Sequence, residues 1–400
     1  MPVKLQMSRP LLLVIGLASI AILGTMYLRE DTSSQFSLIT SGVIDSIAPN
    51  VVLEAPNEHA SADDMNDMEY WRTGKFIGSH LDTHPSFNVH DAPVNHIPVD
   101  QLGYNAAVLY LISDNRLRET MLSLSYLYRW VPMHPWPIIL FHASDMDDPA
   151  ARNDFMLRLY DFLGGGDQAR LFIQRIEWVR LHWMLPNSFS HDVNVVKPVF
   201  EFAWPGYHMM CAFFASEVFD HPRLQNVTYY MRLDTDSYIF RPLCYDPFEI
   251  FHQRKRSYGY RAALTDPAEF VVGLWDLTDE YAKTHVEVEE RMQRNGFSWP
   301  SPRERGSMGE REYPGYYNNF EIVRLEAFRT PEVRAWLDEV KRVPERIYKY
   351  RWGDSPIRYA TVYMFMDIEK DVEEYCGMDY WHQGTYGKQC LCEDQKNGRS

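Results

Sequence analysis

From Asn105 onward, short apolar runs alternate with segments of helical periodicity, and this alternation limits the possible folds of the chain. The apolar runs predict strands at 106–113, 136–141, 171–176 and 227–233. Helices are predicted between them at 114–130, 149–163 and 207–219. Strands that alternate with helices predict an α/β fold, with a mostly parallel sheet and helices on both of its faces.

Local signals mark the ends of several predicted helices. Asp114 is expected to cap the first one, and the glycine run 164–166 closes the second. Thr330-Pro331 and Ser355-Pro356 each combine an N-cap residue with proline at the first helical position. We therefore predict two further helices, which begin at these prolines.

Two aspartates, Asp234 and Asp236, directly follow the fourth predicted strand in the stretch YYMRLDTDSYIF. Carboxylates at a strand end are costly unless a cation offsets their charge. In parallel α/β sheets, ligands collect beyond the carboxyl ends of the strands. Two carboxylates on the same side of an extended segment suit a hard divalent cation that bridges to phosphate oxygens. The pair therefore predicts a metal–diphosphate site, although a polar loop that ends a strand can contain the same residues.

Other metal and phosphate motifs fit this stretch less well. A calcium-binding helix-loop-helix would need glycine and glutamate where the chain has Ile239 and Tyr245, which excludes it. A phosphotransferase with an aspartate nucleophile would need Asp-x-Asp-x-Thr, whereas the fifth residue here is Tyr238. That class stays open as an alternative. The sequence contains no glycine-rich phosphate loop and no Gly-x-Ser-x-Gly elbow.

An uncharged apolar stretch from Leu11 to Leu28 has about the length that crosses a bilayer. Lys4 and Arg9 precede it and predict a cytosolic N-terminus, hence a type II signal anchor through which the protein contacts the membrane. A cleaved signal peptide is the alternative. The predicted organisation is a cytosolic tail at 1–10, a transmembrane anchor at 11–28, a luminal stem at 29–100 and one catalytic domain at 101–400.

The net charge limits the class of binding partner, and the cysteines bear on the cellular compartment. A net charge of −15 argues against a nucleic-acid partner, which would need clustered Lys and Arg. Residues 31–100 contain eleven acidic residues against two basic ones, so much of this charge lies in the predicted stem. Five cysteines in an oxidising lumen permit two disulfides and one free thiol, without fixing the pairing.

Several separated stretches resemble one family, the fungal-type Golgi α-1,2-mannosyltransferases of glycosyltransferase family 15. In chain order they are YHMMC from Tyr207, YYMRLDTD from Tyr229, YDPF from Tyr245, SYGY from Ser257, NFEI from Asn319 and YRWGDSP from Tyr350. Their shared order, over roughly residues 104–382, is more specific than any single motif.

The resemblance implies a GT-A-type, Rossmann-like mixed sheet flanked by helices, with GDP-mannose as the donor, Mn²⁺ as the cofactor and retention of the anomeric configuration. It also implies a mannose-terminated glycan acceptor on protein or lipid. The expected location is the Golgi membrane, or else the endoplasmic reticulum, with the catalytic domain in the lumen. The family's usual Glu-Pro-Asp is replaced here by Asp234-Thr235-Asp236. Both positions keep a carboxylate that can bind a metal ion. The replacement therefore weakens the assignment to a subfamily more than the assignment to a reaction class.

The resemblance also assigns roles to individual residues. It implies that Asp234, Asp236 and His382 hold the metal. Glu321 is implied to lie near the reacting sugar carbon, as a nucleophile or as a stabiliser of an oxocarbenium-like state. Tyr207 is implied as a catalytic residue at the donor or acceptor site.

Further residues are expected to contact the nucleotide sugar together with the aspartates, namely Tyr245 and Asp354. Each of the assigned residues also has a structural alternative. Asp354 can cap the helix that follows it, Glu321 can be an exposed helix carboxylate, and His382 and Tyr207 can be structural. Tyr245, Trp352 and Trp381 can stack on a sugar face or fill a core.

The sequence thus predicts a retaining, metal-dependent α-1,2-mannosyltransferase that moves mannose from GDP-mannose to an N- or O-linked glycan. Two alternatives stay open besides the phosphotransferase. One is a GT-A glycosyltransferase with a different nucleotide-sugar donor, and the other is a non-catalytic luminal protein that binds glycans.

Overall fold

The structure is a computed structural model that describes residues 101–201, 204–240, 243, 245–300, 311–375, 378, 380–383 and 385–386. The tail, membrane anchor and stem predicted within 1–100 lie outside these residues, as do four of the five cysteines. The remaining one, Cys211, is a buried free thiol. Across the described ranges, no helix combines the length and the apolar character that a membrane crossing requires.

Strands and helices alternate along the described chain. The strands are β1 (Ala106–Ile112), β2 (Ile138–His142), β3 (Ile176–Arg180), β4 (Tyr229–Leu233), β5 (Tyr238–Ile239), β6 (Tyr258–Tyr260), β7 (Ala263–Asp266), β8 (Tyr313–Tyr316), β9 (Phe320–Arg324), β10 (Val372–Glu374), β11 (Tyr380–His382) and β12 (Thr385–Tyr386). The α-helices are α1 (Leu117–Trp130), α2 (Pro149–Phe162), α3 (Gly166–Ile173), α4 (Val193–Val196), α5 (Gly206–Ala215), α6 (Pro247–Gln253), α7 (Leu274–Thr284), α8 (Val286–Arg294), α9 (Leu325–Phe328), α10 (Pro331–Lys341), α11 (Glu345–Tyr348), α12 (Asp354–Phe365) and α13 (Ile368–Asp371). Short 3₁₀ helices lie at Asp114–Arg116, Ser144–Met146, Glu217–Asp220, Pro222–Leu224 and Ala268–Phe270.

A central sheet of seven strands has the order β10-β6-β9-β4-β1-β2-β3. Strand β1 pairs in parallel with β2 and β4, and β2 pairs in parallel with β3. Strand β9 runs antiparallel to both β4 and β6, which makes the sheet mixed. A second sheet has the order β12-β11-β5, and β7 pairs with β8. The predicted α/β class with a mixed sheet is therefore confirmed.

Alternate residues of the central sheet face two different hydrophobic clusters. Along β1, Ala107 and Leu109 belong to one cluster, whereas Val108 and Tyr110 belong to the other. Because both faces of the sheet are buried at β1, that strand has a continuous apolar sequence and not an alternating one. Strand β4 therefore lies in the middle layer of the molecule, and the residues that follow it are held at an edge of that layer.

The third predicted strand, at 171–176, is wrong in position. Residues 171–173 end helix α3, in which Ala169 and Phe172 are buried, and the strand itself is β3 at Ile176–Arg180. A short apolar run does not distinguish a buried helical turn from a strand. Pairing decides the matter, because Ile176 lies opposite Ile138 of β2.

Two of the predicted helix ends are confirmed. Thr330 caps α10, since its hydroxyl oxygen accepts a hydrogen bond from the backbone N–H of Val333. The three glycines 164–166 that follow α2 all have positive φ, a conformation that glycine adopts without steric cost.

Two other predicted caps are wrong. Asp114 lies inside the 3₁₀ turn before α1, and neither cap position there has a side-chain hydrogen bond. Helix α12 begins at Asp354 after Gly353, so Ser355 lies within its first turn. The hydroxyl of Ser355 donates to the carbonyl of Tyr316 in β8, which fixes the start of α12 against a neighbouring strand.

Candidate active site

Asp234 and Asp236 lie in the tight turn that follows β4 at the carboxyl edge of the parallel strands. The backbone N–H of Asp234 donates to the carbonyl of Asn319 at 3.1 Å, and the N–H of Ser237 donates to the carbonyl of Asp234 at 3.1 Å. The hydroxyl of Ser237 also donates to the carbonyl of Asn319 at 3.1 Å. Main-chain and side-chain bonds to the segment before β9 therefore fix the position of both carboxylates.

Strand β11 brings His382 to this turn. It pairs antiparallel with β5, the strand that directly follows the aspartates, so that Trp381 lies opposite Tyr238. Nε2 of His382 lies 3.0 Å from Oδ1 of Asp236 and 3.9 Å from Oδ2 of Asp234. The amide of Gln383 donates to Oδ2 of Asp236 at 3.0 Å. All three predicted metal ligands are thus brought together, although His382 lies far from the two aspartates in the sequence.

The donor chemistry of this cluster fits Mn²⁺. Carboxylate oxygens suit that ion, and a neutral imidazole can complete the set when its other nitrogen has a partner. The hydroxyl of Tyr317 supplies this partner at 2.6 Å from Nδ1 of His382. Among the described residues, no three His, Cys, Asp or Glu side chains already surround one metal position. His382 contacts Asp236 directly instead, so a cation held by both would replace that contact.

The two carboxylates have different electrostatic surroundings. Burial raises the pKa of Asp234, against the opposing charges of Arg232 and His382. Burial would also raise the pKa of Asp236, but the hydrogen bond and charge of His382, helped by Gln383, outweigh it and hold this pKa below its usual value. Asp236 is therefore the more firmly ionised member of the pair.

Arg232 is a site residue that the sequence analysis missed. It is the charged residue of β4, its side chain is only 3% exposed, and its Nε donates to Oδ1 of Asp234 at 3.1 Å. Its Nη1 donates to Asp354, whose Oδ2 also accepts from the Asn318 amide at 2.7 Å. The guanidinium lies 3.6 Å from the ring centre of Phe214. The sequence could have indicated this residue, because Arg232 is a lone cation inside an apolar strand. A buried cation requires anionic partners.

Asp354 therefore does not act as the helix cap that was its structural alternative. Asp354 is already the first residue of α12, and the N-cap position before it is occupied by Gly353. The carboxylate is used by Arg232 and Asn318 instead. Arg232 thus links Asp354 to Asp234, and both carboxylates belong to one charged cluster.

Glu321 lies in β9 directly opposite Arg232 of β4, which excludes the alternative of an exposed helix carboxylate. Its side chain has no exposed surface. One oxygen accepts from the hydroxyl of Tyr230 at 2.7 Å, and the other accepts from Nε of Arg358 at 3.0 Å. Glu321 is therefore next to the aspartate cluster in the sheet, but its carboxylate is held in a buried ion pair.

Tyr207 lies in the first turn of α5, where its hydroxyl accepts from Nη2 of Arg351 at 2.8 Å. The Arg351 guanidinium also lies 4.6 Å from the Tyr207 ring centre. Burial raises the pKa of Tyr207, and Asp354 and Asp266 add to this effect through their charges. The neighbouring His208 is fully buried, and burial lowers its pKa to about 3, so its imidazole is neutral near pH 7.

Three other aromatic candidates lie in different surroundings. The Tyr245 ring stacks on Tyr375, and burial followed by the charge of Glu373 raises its pKa. Neither neighbour belongs to the aspartate cluster. Trp352 is 1% exposed and donates from its indole N–H to the carbonyl of Val272, so it is a core residue. Trp381 stacks on Tyr238 beside the cluster.

A cavity of about 350 Å³ lies elsewhere, between α7, α8, α10 and α12. Its lining is mostly apolar and includes Tyr281, His285 and Phe365. None of the predicted site residues lines it. The candidate active site is therefore identified by its convergent charged groups and not by a deep cavity.

The sequence model of the family described as Glycolipid 2-alpha-mannosyltransferase matches residues 192–397, just over half of the chain. The chain belongs to this family. The matched range contains all of the predicted site residues, from Tyr207 to His382. The resemblance drawn from the separated motifs is thereby confirmed.

Curated relatives match the chain at modest identity. The O-glycoside alpha-1,2-mannosyltransferase omh1 of Schizosaccharomyces pombe is 26% identical over 181 residues, which are 45% of this chain and 44% of that protein. The probable mannosyltransferase KTR4 of Saccharomyces cerevisiae is 26% identical over 214 residues, 50% of this chain and 45% of that protein. In these two matches the chain thus spans less than half of the relative's length.

Solved structures share the fold. Core-mannan synthase A (CmsA/Ktr4) from Aspergillus fumigatus, in its Mn/GDP form, superposes with a TM-score of 0.57 at 22% identity and covers 72% of this chain and 78% of that one. The mannosyltransferase Ktr4p of S. cerevisiae superposes with a TM-score of 0.59 at 18% identity, over 90% and 91% of the two chains. The predicted GT-A-type architecture is thus confirmed.

Proposed function

We propose that this protein is a retaining, metal-dependent α-1,2-mannosyltransferase that transfers mannose from GDP-mannose to a mannose-terminated N- or O-glycan. The observation that carries the proposal is the convergence of Asp234, Asp236 and His382 at the carboxyl end of β4. This cluster lies within the region that matches a mannosyltransferase family. The related fold of a mannan synthase in its Mn/GDP form supports the choice of metal and donor.

In this proposal, Asp234, Asp236 and His382 hold the divalent cation. The bound ion supplies Lewis-acid chemistry, since it neutralises charge on the departing diphosphate. Tyr317 holds the imidazole of His382 through Nδ1, so that Nε2 faces the carboxylates. Arg232 holds Asp234 by a hydrogen bond and links it to Asp354. We assign Asp354 to binding of the sugar.

The surroundings of Glu321 favour a role other than nucleophilic attack on the sugar. Both of its oxygens accept hydrogen bonds from buried donors, and its carboxylate has no exposed surface. Nucleophilic attack would require the ion pair with Arg358 to open. We therefore assign Glu321 to electrostatic support of an oxocarbenium-like transition state, the second of its two expected roles.

Tyr207 is assigned to the donor or acceptor side of the same site. Its hydroxyl is held by Arg351, and the charge of Asp354 acts on it. Tyr245 is retained as a nucleotide-sugar contact on the strength of the family motif alone.

For the whole protein, we propose a type II anchor at 11–28, residence in the Golgi membrane and a luminal catalytic domain.

The test is turnover of GDP-mannose by the full-length protein in detergent, with α-methyl mannoside as the acceptor and with or without Mn²⁺. We expect metal-dependent release of GDP together with an α-1,2-linked mannose disaccharide. Replacement of Asp236 by alanine is expected to lower turnover by roughly 100-fold or more, because it removes a metal ligand. Asp167→Ala is the matched control, since that carboxylate is 87% exposed on α3.

Two results would contradict the proposal in different ways. Turnover of another nucleotide sugar, without turnover of GDP-mannose, would retain the glycosyltransferase and reject the donor. Glycan binding without turnover of any donor would instead identify a non-catalytic glycan-binding protein.

A further inference from the structure

Arg116 and Glu119 form an ion pair at the end of β1, outside the region that matches the family. Arg116 ends the 3₁₀ turn that follows β1, and Glu119 lies in the first turn of α1. Nη1 of Arg116 donates to both carboxylate oxygens of Glu119, at 2.7 and 2.6 Å. Because Nη1 makes both bonds, Glu119 does not use Nη2 or Nε of the guanidinium.

The pair lies beside the aspartate turn. Strands β1 and β4 are parallel neighbours, so the segments that follow them leave the sheet at the same edge. Ser123 lies four residues after Glu119, hence on the same face of α1, and its hydroxyl donates to the carbonyl of Ser237 at 2.6 Å. Ser237 directly follows Asp236. The helix that carries Glu119 is therefore attached to the turn that carries the aspartates.

Charge interactions agree with this placement. Burial lowers the pKa of Arg116, but Glu119, and after it Asp236, outweigh burial and raise it. In the other direction, Arg116 contributes to the low pKa of Asp236. The guanidinium thus lies within electrostatic reach of the proposed metal site.

The proposed donor also requires a cation at this place. A nucleoside diphosphate carries more negative charge than one divalent ion offsets when two aspartates already bind that ion. Arg232 is nearly inaccessible and is occupied by Asp234 and Asp354. The side chain of Arg116 is 18% exposed, and a guanidinium matches the geometry of phosphate oxygens.

We propose that Arg116 binds the diphosphate of the nucleotide-sugar donor, and that Glu119 holds Arg116 in the free enzyme and competes with the diphosphate for it. This inference rests on the proposed function. It adds a binding residue and a competing carboxylate that the family motifs do not include.

The proposal predicts opposite effects for the two members of the pair. Arg116→Gln is expected to weaken binding of GDP by roughly 10- to 100-fold, because it removes charged hydrogen bonds to phosphate. Glu119→Gln is expected to strengthen it by roughly three- to tenfold, because Arg116 no longer has to leave a competing partner. A pair that served stability alone would give no gain in affinity from either replacement.

The experiment is calorimetric titration of the full-length protein in detergent with GDP and with guanosine, both in the presence of Mn²⁺. Guanosine lacks the diphosphate, so its affinity is expected to be the same for the wild type and both variants. The double variant Arg116→Gln/Glu119→Gln is expected to bind GDP as weakly as Arg116→Gln does. Arg118→Gln on the same helical turn is the control, since it changes the net charge equally from an exposed position.

The possible failures are distinguishable. If the wild type transfers mannose and binds GDP, but Arg116→Gln binds GDP equally well, the role of Arg116 is rejected and the proposed function stands. If the wild type does not bind GDP, both proposals are rejected. If Arg116→Gln does not fold, Glu119→Gln still decides, because unchanged or weaker GDP binding by that variant contradicts the competition.

Discussion

The carboxylate of Glu321 and the guanidinium of Arg358 form an ion pair in which neither side chain has any exposed surface. Arg358 also donates to the carbonyl of Phe214, and Glu321 also accepts from Tyr230. Removal of one partner from such a pair destabilises the fold, because the remaining charge is buried without compensation. At the residue scale, this pair joins α12 to β9 behind the candidate active site.

Replacement of Glu321 by glutamine is therefore expected to lower the free energy of unfolding by about 3–5 kcal/mol. The cause is the uncompensated charge of Arg358, and urea unfolding of the full-length protein measures it. Addition of Arg358→Met is expected to recover much of the loss, because the remaining charge is removed. Glu326→Gln is the control, since Glu326 is exposed. Equal stability of the Glu321 and Glu326 variants would contradict the role of the pair.

At the scale of elements, the site depends on how β8 packs against the start of α12. Gly315 of β8 leaves no room for a side chain, because a Cβ there would lie 2.3 Å from Oγ of Ser355 and 3.3 Å from two backbone atoms of α12. Ser355 directly follows Asp354, which holds Arg232. A displacement of this helix end would therefore move Asp354 and disturb its hydrogen bond with Arg232 in the aspartate cluster.

Gly315→Ala is expected to lower the free energy of unfolding by about 1–3 kcal/mol, because the added methyl group overpacks this contact. The double variant Gly315→Ala/Ser355→Ala is expected to lose less, since the nearest clashing atom is absent. Urea unfolding compares the two with Gly206→Ala, where an added Cβ meets no atom within 4 Å. Equal stability of the Gly315 and Gly206 variants would show that α12 can move away without cost.

At the scale of the whole molecule, the proposed site is assembled from distant parts of the chain. The aspartates follow β4, His382 comes from β11, and Arg116 follows β1. Such a site exists only in the folded protein, so the free energy of ligand binding adds to the free energy of folding.

Mn²⁺ and GDP together are therefore expected to raise the free energy of unfolding by about 2.7 kcal/mol when the ligand exceeds its Kd 100-fold. Thermal unfolding of the full-length protein, with and without each ligand, measures this effect, and removal of the metal by EDTA is expected to reverse it. Asp236→Ala is expected to abolish most of the gain. An equal gain in that variant would indicate that the metal binds elsewhere.

The features that depend on neighbouring residues were predictable from the sequence. The alternation from Asn105 onward predicted the α/β class, and the cap at Thr330 and the closing glycines 164–166 were correct. The place of Asp234 and Asp236 at the end of a buried strand was also readable, since it follows from residues that adjoin in the chain. The family resemblance, and not a local pattern, predicted His382.

The contacts between residues that are distant in the sequence were found only in the folded structure. Tyr380, which bonds Ser237 across 143 positions of sequence, shows how β11 is held beside the aspartate turn. The burial of Glu321 against Arg358, the link from Arg232 to Asp354 and the position of β3 depend likewise on pairing and packing. No local pattern encodes these contacts, because they form only when elements far apart in the chain exclude water together and satisfy each other's buried charges.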